Sequence, residues 1–251
     1  MNYKIFVINL DERPDKFKNA EDQILAQGLS CERISAIRGS NLSEEEITKN
    51  YDTKANKKHY MKTMSVGEIG CYMSHRAAWQ RIIDEELDYA IILEDDAEVL
   101  SNFTSGIECL NKLIEWDFVK LQGGRGGRKA IEKLAITPLL SIVHYDSTPV
   151  SCLAQAVSKN GAQKLLSASS PFFRPVDVDI QHYWERNIDV IGLEPKIVDK
   201  ANFDSDISAA SQNQGRGLKS KLLPRLKYRI KLAFHKMSHN PKRPNLEIYI
   251  S

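Results

Sequence analysis

The run Ile91-Ile92-Leu93-Glu94-Asp95-Asp96-Ala97-Glu98 carries a short apolar strand straight into three consecutive acids. Loops at strand ends commonly carry chemistry. Carboxylate oxygens clustered there are hard ligands, suited to Mg2+ or Mn2+ held against a phosphate-bearing substrate. Glu94 and Asp96 flank Asp95 in acid-x-acid spacing, although the same acids can also form a solvated loop or cap a helix after Val99. A second acidic pair, Asp177 and Asp179, follows Pro175, where a turn gives way to a helix. A carboxylate there either takes a proton from a reacting hydroxyl or caps the helix and meets its dipole. Asn9 and Arg13 bring an amide and a guanidinium to the end of the first strand. An Arg at a helix start is not favoured by the dipole, which leaves a ligand contact or a surface salt bridge as its reason. Glu68 and His75 are two helical turns apart and share one face. His75, with Ser74 beside it, is either a satisfied core residue or part of a site.

These residues need a layered α/β frame to meet. Lys4–Leu10 reads as a central strand, and Pro14 opens a helix that Gly28 closes. Residues 30–36 form a second strand, and the polar stretch 40–63 a helix with a mobile connection. A helix over 66–86 carries Trp79, Ile82 and Ile83 at helical spacing. The strand into the acids follows after a short break, in the βαβ rhythm of an α/β domain. Further strands are expected at 118–121, 151–157 and 190–198, with helices at 159–168 and from Pro175 to Trp184. The strand at 118–121 runs into Gln122-Gly123-Gly124-Arg125-Gly126-Gly127-Arg128. That run lacks the Lys-Ser/Thr of a P-loop, so it is either a lid whose two arginines reach anions or a plain loop.

The 251 residues are 42% hydrophobic, with three Trp, enough for a substantial core in one large α/β domain. Four widely spaced cysteines without a CxxC suggest neither zinc nor a disulfide framework. No stretch approaches the roughly 18 apolar residues of a membrane span. Met1 leads within four residues into a strand, leaving no room for a signal peptide. A reducing cytosolic compartment is the expectation. The net charge of +2 is uninformative, but from Arg216 to Arg243 there are ten Lys/Arg and no acid.

Taken in order, Val7-Ile8-Asn9-Leu10-Asp11-Glu12-Arg13, Gly67-Glu68-Ile69-Gly70-Cys71-Tyr72-Met73-Ser74-His75 with Trp79, Ile92-Leu93-Glu94-Asp95-Asp96-Ala97, Asn160-Gly161-Ala162 and Pro175-Val176-Asp177 resemble glycosyltransferase family 25. That family includes lipooligosaccharide-biosynthesis glycosyltransferases and collagen galactosyltransferase domains. The likeness spans roughly residues 3–210. It departs from the family at Lys16, where Arg is usual, and it carries nothing over for the 123–128 loop. The resemblance implies a GT-A-like nucleotide-sugar transferase domain with a mainly parallel mixed sheet, a divalent Mn2+ or Mg2+, a UDP-sugar donor and inversion at the anomeric carbon. On that reading Asp96 ligates the metal directly and Glu94 acts on it through water, with Glu-x-Asp in place of Asp-x-Asp. Asp95 meets the ribose or sugar, while Asn9, Arg13, Ser74, His75 and Gln122 lie around the donor. Asp177 is the leading base and Asp179 the second candidate, with Asp204 or Asp206 next. Galactose from UDP-galactose, β-linked to a lipooligosaccharide or lipopolysaccharide, is the family-level expectation for the transfer.

A tail over 214–251 is expected beyond a catalytic domain of 1–213. Leu226, Ile230, Ala233, Phe234 and Met237 fall on one face of a helix flanked by Arg225, Lys227, Arg229, Lys231 and Lys236. Such a basic amphipathic helix reads as an anionic-membrane contact at the inner face of the cytoplasmic membrane, or as a helix docked on the domain. Nucleic acid is not expected as a partner, because the tail has few aromatics and no recognition motif. The rival to an enzyme is a nucleotide-sugar or glycan-binding module of the same fold that has lost turnover.

Overall fold

The computed structural model describes residues 1–60, 62–123, 129–201 and 222–250. The first half comprises β1 (Tyr3–Asn9), α1 (Pro14–Ala26), β2 (Glu32–Ser35), α2 (Glu44–Asn50), α3 (Thr53–His59), α4 (Val66–Asp84), β3 (Tyr89–Glu94), β4 (Ala97–Val99) and α5 (Phe103–Leu110). The second half comprises β5 (Phe118–Lys120), β6 (Ala130–Ala135), β7 (Ser141–Tyr145), β8 (Ala154–Ser158), α6 (Lys159–Ala168), α7 (Val176–Gln181), α8 (Tyr183–Arg186), β9 (Val190–Glu194), β10 (Val198–Lys200) and α9 (Leu222–His239).

One eight-stranded sheet has the order β2-β1-β3-β8-β5-β9-β7-β6. β1 pairs parallel with β2 and β3, and β5 parallel with β9, whereas β8 is antiparallel to both β3 and β5. β7 is antiparallel to β9 and β6. Six strands therefore point one way and only β7 and β8 are reversed, the mainly parallel mixed sheet that was expected. Because β8 turns the direction twice, the C-terminal ends of β1, β3 and β5 share one edge with the start of β8. Ligands of open α/β sheets bind beyond such carboxyl ends.

Alternate residues of the central strands feed opposite cores. Ile5, Val7, Ile91 and Leu93 pack with α1, α5 and the C-terminal Leu246 and Tyr249. Phe6, Ile8, Ala90 and Ile92 pack with Trp79 of α4 and with residues of α6 and α7. α4 starts in a capping box: the Ser65 hydroxyl accepts from the Glu68 amide while the Glu68 carboxylate accepts from the Ser65 amide. A Cβ on Gly70 would sit 2.3 Å from the Ile37 carbonyl, so only glycine lets the helix lie against that loop. Gly161 meets the Asp117 carbonyl in the same way, at 2.1 Å.

Two expectations need correction. The polar stretch 40–63 holds two short capped helices, α2 and α3, and is tied to the body by the Tyr51–Phe172 bridge. The expected boundary at 213 does not separate an appendage from the fold, because within 222–250 Leu246 and Tyr249 are wholly buried in the main core and Ile250 bridges to Leu113. Residues 202–221, with Asp204 and Asp206, lie outside the described residues, as do 124–128, with Arg125 and Arg128.

Candidate active site

Two cavities open at the carboxyl edge of the sheet. The larger, about 660 Å3, runs from Glu94 and Asp96 to Gln122, Cys152 and Asp177, with Lys196 and Lys200 of the β9–β10 segment opposite. The second, about 420 Å3, lies over the ends of β1 and β2, between Ile8, Leu10, Ala36 and Ile37, with Asp95 and His75 in its wall. Cys71, Glu94 and Asp96 border both cavities.

The three strand-end acids are held differently. Asp95 accepts from the Asn9 amide at 2.7 Å and faces Lys16 at 3.9 Å. Asn9 also donates to the Arg13 carbonyl and accepts from Arg33 at 3.0 Å, so its polar atoms are used inside the protein. It is 1% exposed and lines neither cavity. The expected donor contact is therefore corrected to a positioning role: Asn9 fixes Asp95. Lys16, the departure from the family's Arg, still supplies a cation to that acid.

Glu94 accepts from His75 Nε2 at 3.2 Å. The Gln155 amide nitrogen lies 2.8 Å from His75 Nδ1, and donation there leaves Nε2 to carry the proton that points at Glu94. His75 is thus an orienting partner for Glu94, reached through the buried strand β8. Cys71, one helical turn before His75, completes a sulfur, nitrogen and oxygen group whose atoms lie within 4.8 Å of one another. Burial pushes the Cys71 thiol well above its ordinary value and Glu94 adds to this, so without a bound cation it stays a neutral thiol. Among the described residues all four cysteines are free.

Asp96 lies 3.3 Å from the Lys200 ammonium. Burial and then the charge of Glu94 raise its pKa, against the pull of Lys200. Two carboxylates side by side, open to a cavity and built of hard oxygens, fit Mg2+ or Mn2+.

Asp177 borders the larger cavity near the N-terminus of α7. The N-cap position belongs to Pro175, which makes no side-chain cap, and among the described residues Asp177 accepts from the adjacent Val178 amide alone, at 2.8 Å. One carboxylate oxygen thus meets a first-turn amide of α7, and the side chain also borders the cavity. Burial raises its pKa, Lys120 opposes the rise, and Glu94 and Glu68 add to it. Asp179 differs. Its carboxylate takes Arg174 Nε and Arg186 at 2.6 Å each and the Tyr72 hydroxyl, and it is 1% exposed. Burial alone would raise its pKa, but Arg174 and Arg186 outweigh that and hold it below the ordinary value. The candidacy of Asp179 as a base is corrected: it is the anionic centre of a buried ionic cluster beneath α7.

Gln122 lines the larger cavity, and its buried Nε2 has no protein partner among the described residues, which leaves a donor for a ligand. Ser74 borders the second cavity, but its hydroxyl donates to the Gly70 carbonyl and accepts from the Ile37 amide, so it braces the loop. Arg13 pairs with Asp15 at 3.1 Å and lines neither cavity.

Sequence reasoning missed Lys120. It is fully buried, and its ammonium donates to the Ser151 carbonyl at 2.5 Å beneath the cavity floor. A lone charge inside the apolar run Phe118-Val119-Lys120-Leu121 was its signal. Lys196 and Lys200 had none, since the β9–β10 turn brings them across the site.

The mainly parallel mixed sheet, with its acid pair at the strand ends between two cavities, is the α/β architecture that the resemblance to GT-A-like transferases implied. The chain belongs to glycosyltransferase family 25: the family's sequence model, described as "Glycosyltransferase family 25 (LPS biosynthesis protein)", matches residues 2–180. It is 25% identical over 232 residues to the "Probable inactive glycosyltransferase 25 family member 3" of Bos taurus, covering 81% of this chain and 37% of that protein. It is 28% identical over 184 residues to "Procollagen galactosyltransferase 2" of Mus musculus, covering 70% of this chain and 29% of that protein. The chain thus spans well under half of either relative. A solved glycosyltransferase involved in glycosylation of the major capsid of PBCV-1 aligns over 84% of this chain and 98% of its own, at a TM-score of 0.46 and 10% identity.

Proposed function

We propose that this protein is a metal-dependent, inverting glycosyltransferase that moves a sugar, galactose from UDP-galactose as the first candidate, onto a lipooligosaccharide or lipopolysaccharide acceptor in β-linkage. It would act in the cytoplasm at the inner face of the membrane. One observation carries the reading: two cavities meet at Glu94 and Asp96. The apolar one, walled by Ile8, Leu10, Ala36 and Ile37, suits a uracil ring, with Asp95 in reach of a ribose hydroxyl. The larger suits the transferred sugar and the acceptor. The diphosphate would then lie over the shared acids.

Glu94 and Asp96 would hold Mn2+ or Mg2+, which when bound neutralises the charge that develops on the departing diphosphate. Lys200 and Lys196 bring further positive charge to the same wall. The acceptor hydroxyl oxygen forms the new bond to the anomeric carbon as the bond from that carbon to the diphosphate oxygen breaks, and the hydroxyl proton passes to Asp177. A carboxylate whose pKa is raised by burial is a better proton acceptor than an ordinary one. Gln122 Nε2, buried and without a partner among the described residues, would donate to a sugar hydroxyl.

The competing reading, a binding module without turnover, is kept in view by the bovine relative named as probable inactive. UDP release from a panel of UDP-sugars, with and without Mn2+, separates the two, because slow donor hydrolysis needs no acceptor. Metal-stimulated release from UDP-galactose that disappears in Asp96→Ala supports the enzyme. UDP-sugar binding with no release from any donor would establish the module.

A further inference from the structure

The helix α9 is amphipathic, yet its apolar face looks outward. Its inner face is aromatic and imidazole-rich. His235 and His239 stack on Trp184 at 5.6 and 5.3 Å, with ring planes within 18° and 21°. Tyr228 packs edge-on against Tyr60 and beside His182. Lys236 donates to the Ser147 hydroxyl at 2.5 Å, and Asn240, just past the helix, donates to the Asp146 carbonyl at 2.9 Å. These contacts fix the rotation of the helix about its own axis.

With that rotation set, Leu226, Ile230, Phe234 and Met237 form a stripe at spacings of four, four and three, and they are 56%, 60%, 70% and 78% exposed. A surface helix normally turns its apolar stripe to the core. A contiguous run of large apolar side chains left in water marks an interaction surface. Arg225, Lys227, Arg229 and Lys231 are exposed alongside it, and no acid occurs between Arg216 and Arg243.

We propose that this outer face of α9 lies in the interface of an anionic lipid bilayer, with the four apolar side chains inserted and the flanking cations at the headgroups. The inference deepens the glycolipid reading of the acceptor given above and rests on it for its purpose. The charge pattern selects the occupant. A second copy would bring two acid-free basic flanks together, whereas anionic headgroups complement them. The stripe is about 17 Å long at 1.5 Å per residue, which suits lying in the plane of an interface. Among the described residues no helix is long and apolar enough to cross a membrane. The inner face rests on α8 and on His182, directly after α7, so the proposed lipid contact is built on the same segment that carries Asp177.

The test is co-sedimentation of the full chain with vesicles of phosphatidylglycerol and phosphatidylethanolamine against vesicles of phosphatidylcholine. Binding to the anionic vesicles alone, weakening as salt rises from low to physiological strength, is expected. The double variant Ile230→Ser/Phe234→Ser should lose about tenfold or more of the vesicle partition. Arg225→Glu/Lys227→Glu/Arg229→Glu should lose as much without touching the apolar stripe. Both should melt like the parent, because every altered side chain is exposed. Equal binding to both vesicle types, or variants that bind like the parent, would overturn the proposal. So would a parent that is dimeric by light scattering, ignores vesicles and becomes monomeric in Ile230→Ser/Phe234→Ser, since the occupant would then be a second copy. None of these readouts uses catalysis, so loss of the transferase reading and loss of the lipid contact are separately visible.

Discussion

Asp177 and Asp179 are two residues apart and chemically opposite. One borders a cavity with its pKa raised by burial, and the other is held below its ordinary value between two guanidinium groups. Asp177→Asn is expected to leave UDP-sugar binding intact and lower turnover by about 100-fold or more, the scale of losing a general base. Because the base works deprotonated and its pKa is raised, the acid limb of kcat/KM should lie above the range of an ordinary Asp. Lys120 opposes that rise, so Lys120→Met should move the limb to still higher pH. A limb that stays put in Lys120→Met would remove Lys120 from the site's electrostatics. His75→Phe deletes the hydrogen bond that orients Glu94 and is expected to weaken Mn2+ binding by about 10–100-fold, read by calorimetry in the presence of UDP.

At the scale of elements, α7 depends on the ionic cluster beneath it. Asp179→Asn leaves Arg174 and Arg186 short of their shared anion, at a cost of about 3–5 kcal/mol for breaking a buried pair. Thermal melting should show that loss, while turnover per folded molecule falls far less than in Asp177→Asn. The sign of the pH effect follows from the lowered pKa. Asp179 contributes stability above the unfolded carboxylate value of about 3.9, and that contribution is lost as pH falls through its folded value. Asp179→Asn should therefore lose less stability than the parent on acidification. If it loses as much, the cluster does not hold the helix.

For the whole molecule, the C-terminus belongs to the fold. Leu246 and Tyr249 are wholly buried against the sheet, and the Leu246 amide donates to Glu132 of β6. Leu246→Ala is expected to cost about 2–5 kcal/mol, the range for emptying a core leucine site. Ending the chain near residue 215 should yield an unstable protein, so it is no test of the membrane face. A truncated chain that melts like the parent would show that these core contacts contribute nothing.

The sequence by itself determined the central strands, the helix expected over 66–86 and found at Val66–Asp84, and the acidic strand end, because each is written in local periodicity and spacing; its ordered motifs carried the resemblance to the family. It also placed Glu94, Asp95, Asp96, Asp177 and Gln122 where the structure brings them to the cavities. It missed β6 and β7, whose pairing partners are each other and β9 and whose local pattern carries no turn signal from the glycine run before them. Only the tertiary structure decided between Asp177 and Asp179, since local sequence cannot say which acid meets Arg174 and Arg186 and which meets a cavity. The same holds for Asn9, whose amide is consumed by Asp95 across 86 residues of chain, and for α9, whose apolar stripe is plain in sequence. Which face of that helix looks outward depends on His235 and His239 both stacking on Trp184, a contact between segments some fifty residues apart. Burial and the sign of neighbouring charge are properties of the packed chain, and they turn similar residues into different chemistry.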